Sequence, residues 1–69
     1  MITYYRLFDY LNRHDINKTE LAQATGISSA TITKLVNNKY VSTKTIDKIC
    51  NYLKVQPHQI MEWVDDKKI

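Results

Sequence analysis

The stretch LAQATGISSATITKL, residues 21–35, contains the only glycine of this 69-residue chain, Gly26. On either side of it, apolar residues recur at helical spacing. Glycine is the residue expected where a helix ends in the left-handed conformation, which costs a residue with a Cβ about 1 kcal/mol or more. Two short helices joined by a tight turn that contains glycine form a helix-turn-helix, which we place at about residues 17–36.

The residues around Gly26 each have a packing role. Ala22 lies four residues before the glycine, where the two helices cross closely and a large side chain would separate them. Ile27 follows the glycine and is predicted to close the turn from below. Ile32 and Leu35 share the face of the second helix that is turned towards the first. Together these residues indicate a helix-turn-helix much more specifically than any one of them does alone.

The ends of the two motif helices are also marked in the sequence. Asn17, followed three residues later by Glu20, predicts a capping box at the start of the first helix. Ser28 is the corresponding cap of the second helix. Asn37 and Asn38 follow that helix, and asparagine tolerates the left-handed conformation better than most residues.

Outside the motif, the apolar pattern predicts three further helices. The first spans residues 4–13 and is capped by Thr3, and the fourth spans residues 43–53 and is capped by Ser42. Pro57 fits the first position of a fifth helix. The predicted inward stripe of that helix is Ile60, Trp63 and Val64.

No segment alternates between apolar and polar residues over more than five positions, so no strand is predicted. The sequence therefore predicts an all-α fold of five helices in a single domain over residues 1–69. We expect a frayed tail at about residues 65–69.

Composition excludes several classes of protein. A chain of 69 residues has room for one small domain. The single cysteine excludes an intramolecular disulfide and a zinc site built from cysteines. No stretch is apolar enough to span a membrane and no signal peptide is visible, so we expect a cytoplasmic protein.

Catalytic and metal-binding patterns are missing from the sequence as well. His14 and His58 are isolated, with no Asp, Glu or Cys at ligand spacing. There is no Ser–His–acid pattern and no glycine-rich phosphate loop. Cys50 lies in the apolar stripe of the fourth helix and is predicted to be part of the core. We therefore expect no enzymatic activity, no metal, no cofactor and no small-molecule ligand.

The formal net charge is +3, and the whole excess lies in residues 17–48. Between Glu20 and Asp47 there is no acidic residue, whereas Lys34, Lys39 and Lys44 lie there. A basic segment without acids indicates a surface that faces a polyanion. The alternative is a solvated face that happens to lack acids.

The stretch LAQATGISSATITKL, followed by NNK, resembles the helix-turn-helix of the lambda-repressor/Cro-like (XRE-type) regulators of bacteria and phages. The run STKTIDKICNYLKVQPHQI, residues 42–60, is similar to the family's fourth helix, its connector and the start of its fifth helix. The resemblance covers about residues 4–64. It implies a compact five-helix, lambda-repressor-like domain that binds double-stranded DNA.

The resemblance also implies which residues contact DNA. In this family the third helix enters the major groove, and its outward residues near the N-terminus read base edges. On this chain the base-reading positions are Ser29, Ala30, Thr33 and Lys34. The phosphate-binding positions are Lys18, Ser28, Thr31, Asn37, Asn38, Lys39, Thr43 and Lys44.

Tyr40 has two interpretations. Its position directly after Lys39 would let its hydroxyl donate to a phosphate, so we add it to the phosphate-binding residues. Alternatively, its ring closes over the core between the third and fourth helices.

The chain departs from the family pattern at two places. Asn38 stands where the family often has glycine, and asparagine can adopt the same conformation. Many members carry Gln or Arg on the reading face, where this chain has Ser29 and Ala30. Lys34 is then the only long donor, suited to guanine O6 and N7, and a good bidentate contact discriminates by about 1–3 kcal/mol. We expect modest specificity, to which dimerisation or DNA shape adds.

Two functions are consistent with the sequence. The first is a sequence-specific, repressor-like transcriptional regulator that binds double-stranded DNA as a homodimer. Met61, Trp63 and Val64 are its candidate interface residues, with a place in the core as the alternative for Trp63. The second is a protein-interaction module on the same fold, such as an antitoxin or adaptor. It would use Tyr5 and Tyr10 on the first helix, and its DNA contact would be secondary.

Overall fold

Four α-helices, two 3₁₀ turns and a two-stranded ribbon form the part of the chain that the computed structural model describes, residues 1–68. In chain order they are β1 (Ile2–Thr3), α1 (Tyr5–Arg13), α2 (Lys18–Thr25), α3 (Ser29–Val36), α4 (Thr43–Leu53), a 3₁₀ turn (Pro57–Gln59), β2 (Glu62–Trp63) and a second 3₁₀ turn (Asp66–Lys68). Helix α2 packs against both α3 and α4. The fold is therefore mostly helical.

The N-terminal caps of α2, α3 and α4 and the glycine end of α2 are those that the sequence predicts. Asn17 Oδ1 accepts from the Glu20 backbone N–H at 2.8 Å, and Glu20 Oε1 accepts from the Asn17 N–H at 3.4 Å, which completes the capping box. The Ser28 and Ser42 hydroxyls cap α3 and α4 by accepting from the Thr31 and Thr45 backbone N–H groups. Gly26 ends α2 with a φ of +74°, the left-handed conformation. These predictions are confirmed.

The prediction of a fifth helix is wrong. The chain makes one 3₁₀ turn at Pro57–Gln59, buries Ile60 and then runs extended as β2. β2 pairs with β1 in antiparallel register, and the Val64 N–H donates to the Met1 carbonyl at 2.8 Å. These bonds pair backbone polar groups of residues 1–3 with those of residues 62–64. Strands of two residues are too short to show a period-two pattern, so the sequence gives no signal for them.

The predicted cap of α1 is also wrong. Tyr4 occupies the N-cap position, without a side-chain cap bond, and α1 begins at Tyr5. Thr3 lies in β1 with its side chain fully buried. Within the described residues, Thr3 Oγ1 has no hydrogen-bond partner. Thr3, which the sequence pattern assigned to the cap of the first helix, therefore belongs to the ribbon instead.

One cluster of buried side chains joins the helices and the 3₁₀ turn. Its members are Tyr4, Leu7, Leu11, Leu21, Ile27, Ile32, Leu35, Ile46, Ile49, Leu53 and Ile60. The apolar residues predicted around the glycine turn are among them, and the half-buried Ala22 packs against the cluster. Burying one such aliphatic side chain contributes about 1.5–3 kcal/mol, so the orientation of α3 on α2 is well determined.

Polar contacts hold the ribbon end of the molecule. The Met1 amino nitrogen lies 2.9 Å from Asp66 Oδ1, and Arg6 pairs with Glu62 at 3.1 Å. The predicted frayed tail at about residues 65–69 stays a prediction, and Ile69 lies outside the described residues. None of the helices in residues 1–68 is long and apolar enough to cross a membrane.

Candidate nucleic-acid interface

The outward face of α3 carries the side chains that the sequence assigned to base reading. The inward face of the helix is formed by Ile32 and Leu35, which are buried in the core. The residues on the opposite side are all exposed to solvent: Ser29, Ala30, Thr33 and Lys34. Two apolar anchors thus leave a contiguous small and polar surface, with one long cationic side chain near its end.

The N-terminus of α3 has backbone N–H groups that are free to bind a ligand. Ser28 Oγ accepts from the Thr31 N–H at 3.2 Å, as an N-cap does. The backbone N–H groups of Ser29 and Ala30 donate to no atom of residues 1–68. Such free N–H groups at the positive end of a helix bind phosphate oxygens well. Thr31, whose backbone N–H donates to the Ser28 cap, is half-buried and follows them in the chain.

A shallow groove of about 260 Å³ runs between α2 and α3. Its walls are formed by Lys18, Thr19, Ala22, Gln23, Ser29, Ile32 and Thr33. Thr19 and Gln23 were not predicted as site residues, although they are four residues apart on one helical face. The site residues were carried over from the family's positions, which did not include these two, and the uncharged amide of Gln23 adds nothing to the basic segment. In the structure, Gln23 lies in the same groove as two base-reading candidates.

The loop after α3 is tied down at both sides. Asn38 has a φ of +55°, the left-handed conformation expected of it. Its Oδ1 accepts from the Tyr4 N–H at 3.0 Å, and its Nδ2 donates to the Tyr5 hydroxyl at 3.0 Å. The Lys39 N–H donates to the Lys34 carbonyl at 2.8 Å. The Asn38 side chain, predicted to bind phosphate, is therefore engaged with the start of α1.

Asn37 closes the C-terminus of α3. Its Nδ2 donates to the Thr33 carbonyl at 3.0 Å, and the Thr33 hydroxyl donates to the Ser29 carbonyl at 3.1 Å. The Thr33 hydroxyl proton is thus used within the helix, which leaves its methyl group and its lone pairs towards solvent. Asn37 itself is exposed.

The Tyr40 side chain is 81% exposed, so the alternative prediction that its ring closes over the core is wrong. Tyr4 fills the core there instead, at 2% exposure. Burial raises the pKa of the Tyr4 hydroxyl, the Val41 backbone lowers it in part, and Tyr40 raises it slightly. Tyr40 lines a polar cleft of about 290 Å³ together with Thr31 and Lys34.

Lysine side chains lie before and after α3 along the chain. Lys18 stands at the start of α2, with its Nζ 5.7 Å from the centre of the Phe8 ring. Lys39 and Lys44 are exposed in the loop after α3 and at the start of α4, where Thr43 is exposed too. The ion pairs within residues 1–67 are those of Met1, Arg6 and Arg13, and none involves a lysine. The charge of this surface therefore stays available to an anion.

The remaining candidate groups lie away from this surface. Burial raises the pKa of the Cys50 thiol, and the Asp47 carboxylate raises it further, which keeps the thiol protonated and unreactive at neutral pH. The His14 ring stacks on Tyr10, with 4.1 Å between the ring centres. Among residues 1–68, no group of three His, Cys, Asp or Glu residues is arranged to hold a metal ion.

Comparisons with known proteins give a consistent result. A family model described as the Cro/C1-type HTH DNA-binding domain matches residues 6–66. Among solved structures, a crystal structure of the transcriptional regulator VanUg is similar, with a TM-score of 0.90 and 34% sequence identity over 94% of this chain and 87% of that chain. No curated protein sequence matches significantly. The likeness spans α1 to α4 and the turns after them.

Proposed function

Because this chain belongs to the family of Cro/C1-type helix-turn-helix DNA-binding domains, we propose that it is a transcriptional regulator that places α3 in the major groove of double-stranded DNA. The resemblance of its sequence to this family is thereby confirmed. The similar VanUg structure is that of a transcriptional regulator, which supports the regulatory role.

The observation that carries the proposal is the exposed face of α3. A helix can enter the major groove only if its outer side is free, and Ser29, Ala30, Thr33 and Lys34 are all exposed. Lys34 reads guanine O6 and N7 by donating from its ammonium group. Ala30 and the Thr33 methyl group are suited to contact a thymine methyl group.

Phosphate contacts flank this face on both sides. Lys18 and the free N–H groups at the start of α3 meet one strand, and Lys39, Tyr40 and Lys44 meet the other. These contacts fix the position of the protein on the duplex but read no sequence. Because the reading face holds one long donor, most of the affinity comes from the phosphate contacts.

We further propose that the protein binds two half-sites as a homodimer. Half-sites of such dimers lie about one helical turn apart, roughly 34–36 Å. Of the three candidate interface residues, Trp63 is 69% exposed, whereas Met61 and Val64 are half-buried. Trp63 is therefore the proposed contact, since exposed aromatic residues are enriched in protein interfaces.

The protein-interaction module receives less support. Tyr10 is half-buried and stacks on His14, so it offers little free aromatic surface. The hydroxyl of Tyr5 is held by Asn38. The face of α1 thus offers a protein partner one exposed aromatic side chain, Tyr5, where the sequence indicated two.

The test is selection of bound duplexes from a random pool, followed by a salt titration on the selected duplex. Neutralising about four phosphates predicts a fall of log K with log salt at a slope of about −3.6. Enrichment of one sequence together with this slope supports the proposal. Absence of any enrichment, or a slope near zero, contradicts it.

A further inference from the structure

We propose that the Tyr5 hydroxyl is a contact to the DNA backbone, oriented by Asn38. The DNA-binding surface then extends from the loop after α3 onto the first turn of α1. This inference rests on the proposed function, because it concerns where the same duplex touches the protein. Its ligand is a phosphodiester oxygen of DNA.

The orientation of the Asn38 amide is determined by its partners. A backbone N–H only donates, so the atom that faces the Tyr4 N–H at 3.0 Å is the amide oxygen. The amide nitrogen is then the atom 3.0 Å from the Tyr5 hydroxyl, and it donates to that oxygen. One asparagine thus bridges two consecutive residues of α1.

This bond leaves the Tyr5 hydroxyl with a free donor. Its oxygen uses a lone pair to accept from Asn38, so its own proton points away from the amide. Within residues 1–68, no acceptor takes that proton. The side chain is 58% exposed. The result is a preoriented neutral donor at the surface.

The position of this donor matches the path of the backbone. Asn38 is followed by Lys39, whose N–H is bonded to the Lys34 carbonyl at the end of α3. The Tyr5 hydroxyl therefore lies beside the loop that we propose to hold phosphates. A strand that reaches Lys39 from the major groove passes within reach of Tyr5. Because phosphates are the same in every sequence, the contact strengthens binding without reading bases.

The experiment compares Tyr5→Phe with the wild-type protein on the selected duplex and on a random duplex, by fluorescence anisotropy. A hydrogen bond to a charged group implies that the variant binds both duplexes at least about tenfold more weakly. The slope of log K against log salt stays unchanged, because a neutral hydroxyl releases no counterion. Lys39→Ala, in contrast, makes the slope shallower by about 0.9. Tyr10→Phe is the matched control on the same helix and keeps full affinity.

A second measurement separates contact from structural support. Single phosphates of the duplex are replaced by neutral methylphosphonates, one at a time. Neutralising the phosphate that Tyr5 contacts weakens binding of the wild-type protein. The same replacement weakens binding of Tyr5→Phe only slightly, because that variant already lacks the contact. Melting of the free variant is compared with the wild type as a measure of folding.

The outcomes are distinct. If the wild type binds with the steep salt slope and Tyr5→Phe binds equally well, this inference is wrong and the proposed function stands. A tenfold loss that is the same at every methylphosphonate position, together with a lower melting temperature, also overturns it in favour of a structural role. If the wild type shows no salt-dependent binding, the proposed function itself fails and the inference with it.

Discussion

Lys34 and Lys39 have different surroundings, although both are exposed lysines of one short segment. Lys34 lies on the outward face of α3, next to a cleft shared with Tyr40. Lys39 lies in the loop that Asn38 ties to α1. In the proposed complex, Lys34 meets a base edge and Lys39 meets a phosphate.

This difference gives a prediction for two alanine variants. Lys34→Ala is expected to weaken binding of the selected duplex by about 1–3 kcal/mol and to relax preference at one base position. Lys39→Ala is expected to weaken all duplexes about equally. Selection from a random pool with each variant is the measurement. Equal losses of Lys34→Ala on selected and random DNA would remove Lys34 from the reading face.

The buried hydroxyl of Thr3 gives a prediction about stability. Its Oγ1 has no hydrogen-bond partner within the described residues, and burying such a group costs about 1–3 kcal/mol. Thr3→Val keeps the shape and removes the hydroxyl, so the free energy of unfolding is expected to stay equal or to rise. Urea denaturation measures it.

Thr25 is the matched control for Thr3. Its hydroxyl donates to the Leu21 carbonyl at 2.6 Å and accepts from the Ile27 N–H at 3.3 Å. Thr25→Val is therefore expected to lose about 1 kcal/mol. A larger loss for Thr3→Val than for Thr25→Val would show that the Thr3 hydroxyl is paired.

Most of the structure that short sequence patterns predict in this fold lies at the helix ends. The side chains of Asn17, Ser28 and Ser42 accept from the backbone N–H group of the third residue of α2, α3 and α4, respectively. Gly26 and Lys54 end α2 and α4 in the left-handed conformation, with φ of +74° and +58°. A Cβ at Gly26 would meet no atom within 4 Å, so its constraint is the backbone conformation alone.

The left-handed residues at these two helix ends predict that adding a Cβ at one and removing the Cβ at the other change the stability in opposite directions. Gly26→Ala is expected to lower the free energy of unfolding by about 1–2 kcal/mol, because alanine resists a positive φ. Lys54→Gly relieves the same strain, and its free energy of unfolding is expected to be unchanged or higher by up to about 1 kcal/mol. Urea denaturation of both variants checks the pair. Equal stability of Gly26→Ala and wild type would show that the turn relaxes.

Across the whole molecule, the two ends of the chain meet and leave an aromatic side chain exposed. The Ile2↔Trp63 pair lies on one face of the ribbon, and Thr3↔Glu62 lies on the other. Thr3 is buried, so the face with Trp63 is turned outward. We propose that the lysines around α3 supply charge for DNA and that this second surface contacts another copy of the chain.

The exposed Trp63 predicts the behaviour of the assembly. Trp63→Ala is expected to prevent dimer formation, as measured by sedimentation, and to abolish cooperative binding to duplexes with two half-sites. Binding to a single half-site is expected to stay the same, since α3 is unchanged. Tyr52→Ala, on the partly exposed surface of α4, is the control and keeps the dimer. Wild-type protein that stays monomeric on a two-site duplex would contradict the prediction.

Local interactions account for what could be read from the sequence. The caps, the glycine turn and the apolar faces of α2, α3 and α4 involve residues one or two helical turns apart. Their spacing is therefore visible along the chain. The DNA-contact candidates were carried over from the family, and the structure leaves most of them exposed.

Contacts between distant parts of the chain account for the rest. The ribbon pairs residues 2–3 with residues 62–63, and it replaces the predicted fifth helix. Asn38 reaches back to Tyr4 and Tyr5, which turns a candidate phosphate ligand into a support for α1. A periodic pattern along the sequence cannot reveal such pairs, because their partners are brought together only when the core of the molecule packs.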